Sequence, residues 1–261
     1  NMVIRTIRHH VATHNWFAVA IDLAIVVAGV FLGTQVSNWN QERGERAQSH
    51  EDRQRLVADL RANDVDLSNR IAYFEAVLAH AQAALEALGR PSSALGQDFI
   101  VDAYQATQIV PREAKHVTYD EILATGRLTR LGEPALRDRV GNYYILQRTT
   151  GVTFANTPGY REKLRRALPG ATQAAIRTRC PEKRQLLSDD TILNLLPEHC
   201  DPRLDPASVS AGVREVRAIP EVGAELNRLI GDLAVKIELA TVMRQRATKL
   251  SDQILAADKG S

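Results

Sequence analysis

The stretch from Trp16 to Val36 reads WFAVAIDLAIVVAGVFLGTQV, 21 residues with one ionisable group, Asp22. A helix rises about 1.5 Å per residue, so Trp16 to Trp39 covers roughly 35 Å. The hydrocarbon core of a bilayer is about 30 Å thick. Trp16 and Trp39 therefore fall where aromatic belts sit and read as interfacial anchors. A buried core helix is a poor match, because the run is apolar on every face. A cleaved signal peptide is a poor match as well: the run exceeds the usual apolar region of about 7–15 residues, and no small-x-small site closes it. The segment reads as an uncleaved transmembrane helix.

The whole chain has 261 residues, of which 44% are hydrophobic and 25% charged. Its 33 basic and 31 acidic residues leave a net charge of +2. These values exclude intrinsic disorder, collagen-like repeats and a strongly cationic nucleic-acid binder. Aromatic residues make up 5%, low for a barrel or a sandwich.

Two long periodic runs flank the middle of the chain. In the first, Leu60, Leu67, Ile71, Phe74, Leu78, Ala81, Leu85 and Leu88 form a heptad seam with Asp64 at one seam position. The second runs from about Pro220, with Val222, Leu226, Leu229, Leu233, Ile237, Ala240, Met243, Ala247, Leu250 and Ile254. Two such helices pair most simply as an antiparallel couple within one chain, although either seam also suits an intermolecular coiled coil. Residues 40–55 lack an apolar stripe and read as a charged, solvated stalk. Gly89-Arg90-Pro91 ends the first helix. Shorter helices are expected over 97–108, from a capping box at Thr118-Tyr-Asp-Glu121 to a stop at Gly126, over 133–148, over 159–177 with a break at Pro169-Gly170, and over 188–196 behind a Ser-Asp-Asp cap. No substantial sheet is expected. The predicted fold is all-α: one N-terminal transmembrane helix continuing into a long stalk helix and a multi-helix bundle. Its divisions are an N-terminal flank (1–15), the span (16–39), the stalk (40–55) and an extramembrane bundle (56–258).

Within the span, Ala18, Asp22, Ile25, Gly29 and Gly33 share one helical stripe. Gly29 and Gly33 form a G-x-x-x-G, which lets helix backbones approach closely in lipid. An intramembrane carboxyl faces protein or water rather than lipid. The stripe reads as a packing face against another span, with Asp22 either fixing assembly by hydrogen bonding or serving as a proton or ion site. Orientation is contested. Counting basic residues in the flanks places the C-terminal side inside. Cys180 and Cys200, an even pair twenty residues apart, suit a disulfide in an oxidising compartment, against the alternative of two cytosolic thiols. The reading adopted is a bacterial inner-membrane protein with a cytoplasmic N-terminus and a periplasmic C-terminal domain.

The stretches Ala20-Ile21-Asp22, Gly29 and Gln35-Val36-Ser37-Asn38-Trp39-Asn40 resemble the start of an uncharacterised bacterial single-span membrane family. That family carries an acidic residue early in the span and a Gln-x-x-Asn-Trp-Asn exit. Asp22 stands here where the family usually has Glu. A second match runs from Thr118-Tyr119 through a Thr-Gly-x-Leu turn at Thr125–Leu128 to Tyr143-Tyr144. The resemblance implies architecture and no activity.

Motifs for chemistry are missing: no G-x-S-x-G, P-loop, G-x-G-x-x-G, H-E-x-x-H or C-x-x-C occurs. His9, His10 and His14 beside Arg5 and Arg8 suit anionic headgroups. Asp189, Asp190, His199, Cys200 and Asp201 match no metal-ligand spacing, and a cap plus a disulfide explains them better. Tyr119, Tyr143 and Tyr144 read as core-edge packing. The basic residues Arg161, Lys163, Arg165, Arg166 and Arg177 read as a solvated face, with docking of an acidic partner as the alternative. The expectation is a non-catalytic membrane-anchored protein that works through assembly, as accessory subunit, scaffold or sensor. Its partners are the lipid bilayer and a second copy or a larger membrane complex, with no cofactor, metal or nucleic acid. The alternative is a homo-oligomeric proton- or cation-conducting bundle lined by Asp22.

Overall fold

The heptad runs become two long helices that form the spine of the fold. The computed structural model describes residues 16–186 and 192–259, with side chains from residue 20 to residue 258. Helix α1 spans Trp16–Leu88 without a break. After a 3-10 turn at Ser92–Ala94 come α2 (Gln97–Gln105), α3 (Val117–Ala124), a second 3-10 turn (Arg127–Arg130), α4 (Pro134–Ala155), α5 (Gly159–Ala167) and α6 (Gly170–Arg179). A small antiparallel ribbon follows, β1 (Lys183–Leu186) against β2 (Ile192–Leu195), with Lys183 opposite Leu195. Helices α7 (Pro206–Ala218) and α8 (Val222–Lys259) complete the chain. The fold is all-α apart from the ribbon.

The chain divides into two units, residues 1–51 and 52–261. The first contains the helical segment that is long and apolar enough to cross a membrane; every side chain from 20 to 44 is exposed. The second is the bundle. There, α1 and α8 run antiparallel: Arg53 pairs with Asp258, Asp64 with Arg244, and Leu85 lies beside Gly223. The heptad pairing is therefore made within the chain.

The buried seam differs from the apolar one. On α1 it is Leu56, Leu60, Asn63, Leu67, Arg70, Phe74, Val77, Ala81 and Ala84, at strict spacings of four and three. On α8 it is Leu226, Leu229, Leu233, Lys236, Ala240, Met243, Ala247, Leu250 and Ile254. Three polar residues occupy seam positions, and each bonds backbone. Asn63 exchanges two bonds with Lys115, donating to its carbonyl at 2.8 Å and accepting from its N–H at 2.7 Å. Arg70 donates to the Arg112 carbonyl at 2.9 Å. Lys236 donates to the Asn156 carbonyl at 3.0 Å, capping the end of α4. Ile71, Leu78, Leu85 and Ile237, expected in the seam, flank it half-buried.

Two apolar clusters share the bundle. One gathers Leu56, Leu60 and Leu67 with α3, α4 and the second half of α8. The other joins Tyr73, Phe74 and Val77 with α2, α5, α6, α7 and the first half of α8. The first cluster holds the tyrosine triad. Tyr119 stacks on Tyr144 at 4.3 Å, and Tyr143 meets Tyr144 edge-on at 5.1 Å. These rings are core, not core edge.

Several local expectations are corrected. The segment expected as a helix over 188–196 contains a strand, Ile192–Leu195; the proposed cap at Ser188, Asp189 and Asp190 lies outside the described residues. Pairing of four residues with β1 outweighs the helical reading of ILNLL. The capping box is not formed: α3 begins two residues earlier than a Thr118 cap implies, at Val117, Thr118 is buried, and Glu121 turns to arginines. Pro220 lies in the turn before α8 rather than in its first turn. The last turn of the predicted stalk is not solvated, because Asp52 and Arg53 are buried in ion pairs with Arg127 and Asp258. The break at Pro169-Gly170 and the stop at Gly126 are as read.

Gly126 has φ +69°, a left-handed conformation that disfavours any residue with a Cβ. Nothing lies within 4 Å of where a Cβ would sit, so backbone strain is the only penalty. Gly126→Ala is expected to lower unfolding free energy by about 1 kcal/mol, read as a shift in the urea midpoint.

Candidate functional site

In the apolar segment the helix begins at Trp16 and carries Ala18, Asp22, Ile25, Gly29 and Gly33 on one stripe. Asp22 has no partner among the described residues, and positions 29 and 33 have open space where a Cβ would stand. Thr34 returns its hydroxyl to the Phe31 carbonyl at 2.8 Å, the local satisfaction a hydroxyl needs on an apolar helix. Trp39 is exposed, and the Arg43 guanidinium sits over its ring at 5.6 Å. The flank with His9, His10 and His14 lies outside the described residues.

In the bundle, a polar network ties α1 to the loop after α2 and to the ribbon. The Asp66 carboxylate accepts from Arg70 Nε at 2.6 Å and from Arg112 Nη1 at 2.8 Å. Arg112 Nη2 donates to Asn194 of β2 at 2.7 Å. Asn194 in turn donates to Glu182, which accepts the Tyr73 hydroxyl at 3.0 Å. Burial and the Glu182 carboxylate push the Tyr73 hydroxyl above its ordinary range. Beside this network opens a cleft of about 410 Å³ between α1, residues 112–116 and α4. Leu67, Tyr143, Phe154 and Met243 line its apolar part; Arg70, Arg112, His116 and Arg148 line its polar part beside Asp66 and Glu113.

At the start of the bundle, Arg127 forms an ion pair with Asp52 at 2.9 Å and donates through Nη2 to Glu121 at 2.8 Å, while Arg55 reaches Glu121 at 2.5 Å. The turn that supplies Arg127 is the Thr-Gly-x-Leu turn read from the sequence. Hydrogen bonds from Arg55 and then Arg127 hold the Glu121 carboxyl down at about 2. Nearby, His116 faces Asp120 at 2.6 Å and Glu113 at 3.1 Å, and these hydrogen bonds raise it above its ordinary value.

Cys180 and Cys200 form a disulfide with Cα atoms 5.6 Å apart. The bridge closes the segment bearing the ribbon. His80 clamps the same segment from α1, its Nδ1 2.7 Å from Asp102 and its Nε2 3.1 Å from the Pro197 carbonyl. Of the residues considered for a metal, Cys200 is committed to the disulfide, and Asp201 accepts from Gln97 and from the Arg203 N–H. Most of the basic face of α5 is also committed. Arg161 and Arg165 bond the end of α2 around Thr107, Arg165 lies 3.7 Å over the Tyr104 ring, and Lys163 pairs with Glu225. Burial lowers Arg165 below its ordinary value.

The cysteine pair forms the disulfide expected from the sequence, whereas the cleft was not foreseen. Its only sequence signal was the polar interruption of the heptads at Asn63, Arg70 and Lys236. The chain matches no family model, no curated protein and no solved structure.

Glu121 and His116 give opposite pH dependences. Glu121, lowered from 4.5 to about 2, contributes stability that is present above 4.5 and lost as pH falls toward 2. His116, raised above 6.5, contributes stability present below 6.5 and lost as pH rises through its folded value. Urea midpoints measured across pH should show a steeper acid loss in the native protein than in Glu121→Gln. The decline above 6.5 should flatten in His116→Gln. Parallel curves for native and variants contradict these assignments.

Proposed function

We propose that this chain is a non-catalytic, membrane-anchored helical protein that works through assembly, as an accessory subunit, scaffold or sensor of a membrane complex. The observation that carries this reading is Asp22, without a partner among the described residues, on an exposed apolar helix whose same stripe carries Gly29 and Gly33. In hydrocarbon such a carboxyl calls for a protein or water neighbour, and two glycines four apart admit a second helix backbone. The partner span belongs to another copy or to another subunit.

The cysteine bridge supports placing the bundle in an oxidising compartment, hence a cytoplasmic N-terminus and a periplasmic bundle in a bacterial inner membrane. The resemblance to the single-span family fits the same architecture. Conduction through a bundle lined by Asp22 is the second reading, favoured only by the unpartnered carboxyl. It requires proton or cation flux in proteoliposomes that Asp22→Asn abolishes, and absence of flux in the native protein rejects it.

Purified in a mild detergent, the native chain should show the mass of a defined oligomer or bring a stoichiometric partner. Gly29→Leu with Gly33→Leu should weaken that association at least about tenfold, since close backbone approach is lost. A native chain that is strictly monomeric and brings nothing contradicts the proposal.

A further inference from the structure

The cleft beside α4 combines an apolar floor with a concentration of unused cationic donors. Three guanidiniums line it against two carboxylates, Asp66 and Glu113. A guanidinium offers five N–H donors. Arg70 commits Nε to Asp66 and Nη2 to the Arg112 carbonyl, and Nη1 has no partner among the described residues. Arg112 commits Nη1 and Nη2, leaving Nε. Among the described residues Arg148 is bound only through Nη2, to Asp120 at 2.5 Å. Arg70 itself is buried, held over the Phe154 ring at 5.4 Å, so its orientation is fixed before any ligand arrives.

Gly151 supplies a second, independent observation. It lies inside α4, lines the cleft, and has nothing within 4 Å of where a Cβ would stand. A glycine within a helix weakens it relative to alanine. Its φ is not positive, so backbone geometry does not require it. What the glycine provides is open space on the cleft wall. The volume of about 410 Å³ lies within the range of about 300–1,000 Å³ that small-molecule sites occupy.

We propose that this cleft binds a small amphiphile with a single anionic head, carboxylate or phosphate. The head bonds the free donors of Arg70, Arg112 and Arg148, and the apolar body lies on Leu67, Phe154 and Met243 past Gly151. Guanidinium forks match both head chemistries. The site is built from residues of the bundle alone and does not depend on the reading of the assembly face.

The test uses the full chain in phosphatidylcholine nanodiscs, with empty discs as reference, and titration calorimetry. Octanoate and octyl phosphate should bind saturably. 1-Octanol and octyltrimethylammonium should bind at least about tenfold more weakly, because a charge-assisted hydrogen bond is lost. Discs containing phosphatidylglycerol separate two sources of the same head: competition with octanoate assigns the site to a bilayer lipid, and unchanged affinity assigns it to a free amphiphile. Either supports the proposal. Arg148→Gln should weaken octanoate binding about tenfold. Gly151→Leu should abolish binding while raising the thermal midpoint by about 2–4 °C. Gly151→Ala, a smaller intrusion, should raise the midpoint similarly and weaken binding. No saturable anion binding, equal binding of the cation, or unchanged affinity in both Gly151 variants overturns the proposal.

Discussion

Three polar side chains sit in the heptad seam between α1 and α8, and the placement of the surrounding elements follows from what they bind. Asn63, Arg70 and Lys236 occupy positions that a simple antiparallel pair would give to leucine. A buried amide, guanidinium or ammonium left without partners costs about 1–3 kcal/mol or more. Each must therefore be met by backbone from another segment. Asn63 and Arg70 together hold residues 112–115, and Lys236 holds the end of α4. Burial without a carboxylate bonded to it lowers Lys236 below its ordinary value. The cleft lies beside the same contacts: the loop held to Arg70 is also reached by Gln147 of α4 at the Lys115 carbonyl, and both stretches line the space.

A different constraint would act on the apolar segment as a membrane span. In lipid every backbone donor and acceptor must be satisfied within the segment itself, which a continuous helix does. Helix α1 meets this by running from Trp16 through Leu88 without a break. Its first part is exposed on all sides among the described residues, and its later part is a seam helix. One element thus carries two hydrophobic patterns, uniform over residues 20–36 and periodic from Leu56 onward. The stretch between them is charged, with i to i+4 contacts such as Arg46 with Glu42, until Asp52 and Arg53 enter the bundle.

Much of the architecture was legible in the sequence because it rests on periodicity and on punctuation. The two heptad helices, the break at Pro169-Gly170, the stop at Gly126 and the cysteine pair all carry short-range signals. The exact seam was not legible, because hydrophobicity alone passes over Asn63, Arg70 and Lys236 and slides to Ile71 and Ile237. The ribbon was missed because its strands are four residues each and hang on contacts distant in sequence, Asn194 with Arg112 and Glu182 with Tyr73. Glu121 was misread for a similar reason: the spacing from Thr118 suits a cap, but Arg55 and Arg127 bind the carboxylate more strongly than a backbone N–H does. The cleft belongs to the same class, since it is bounded by residues from four separated stretches. The stripe of Ala18, Asp22, Gly29 and Gly33 was legible as a helix face, and its meaning depends on a neighbour outside this chain's own fold.

That neighbour is the central claim, and the most direct measurement is photo-crosslinking along the segment. A benzophenone amino acid placed singly at each position from 18 to 33, irradiated in intact membranes, reports which positions touch protein. The account predicts protein adducts, to another copy or to a second subunit, at positions 18, 22, 25, 29 and 33, with little at 20, 24, 27 and 31. Adducts to lipid alone, or protein adducts without a helical period, would contradict it.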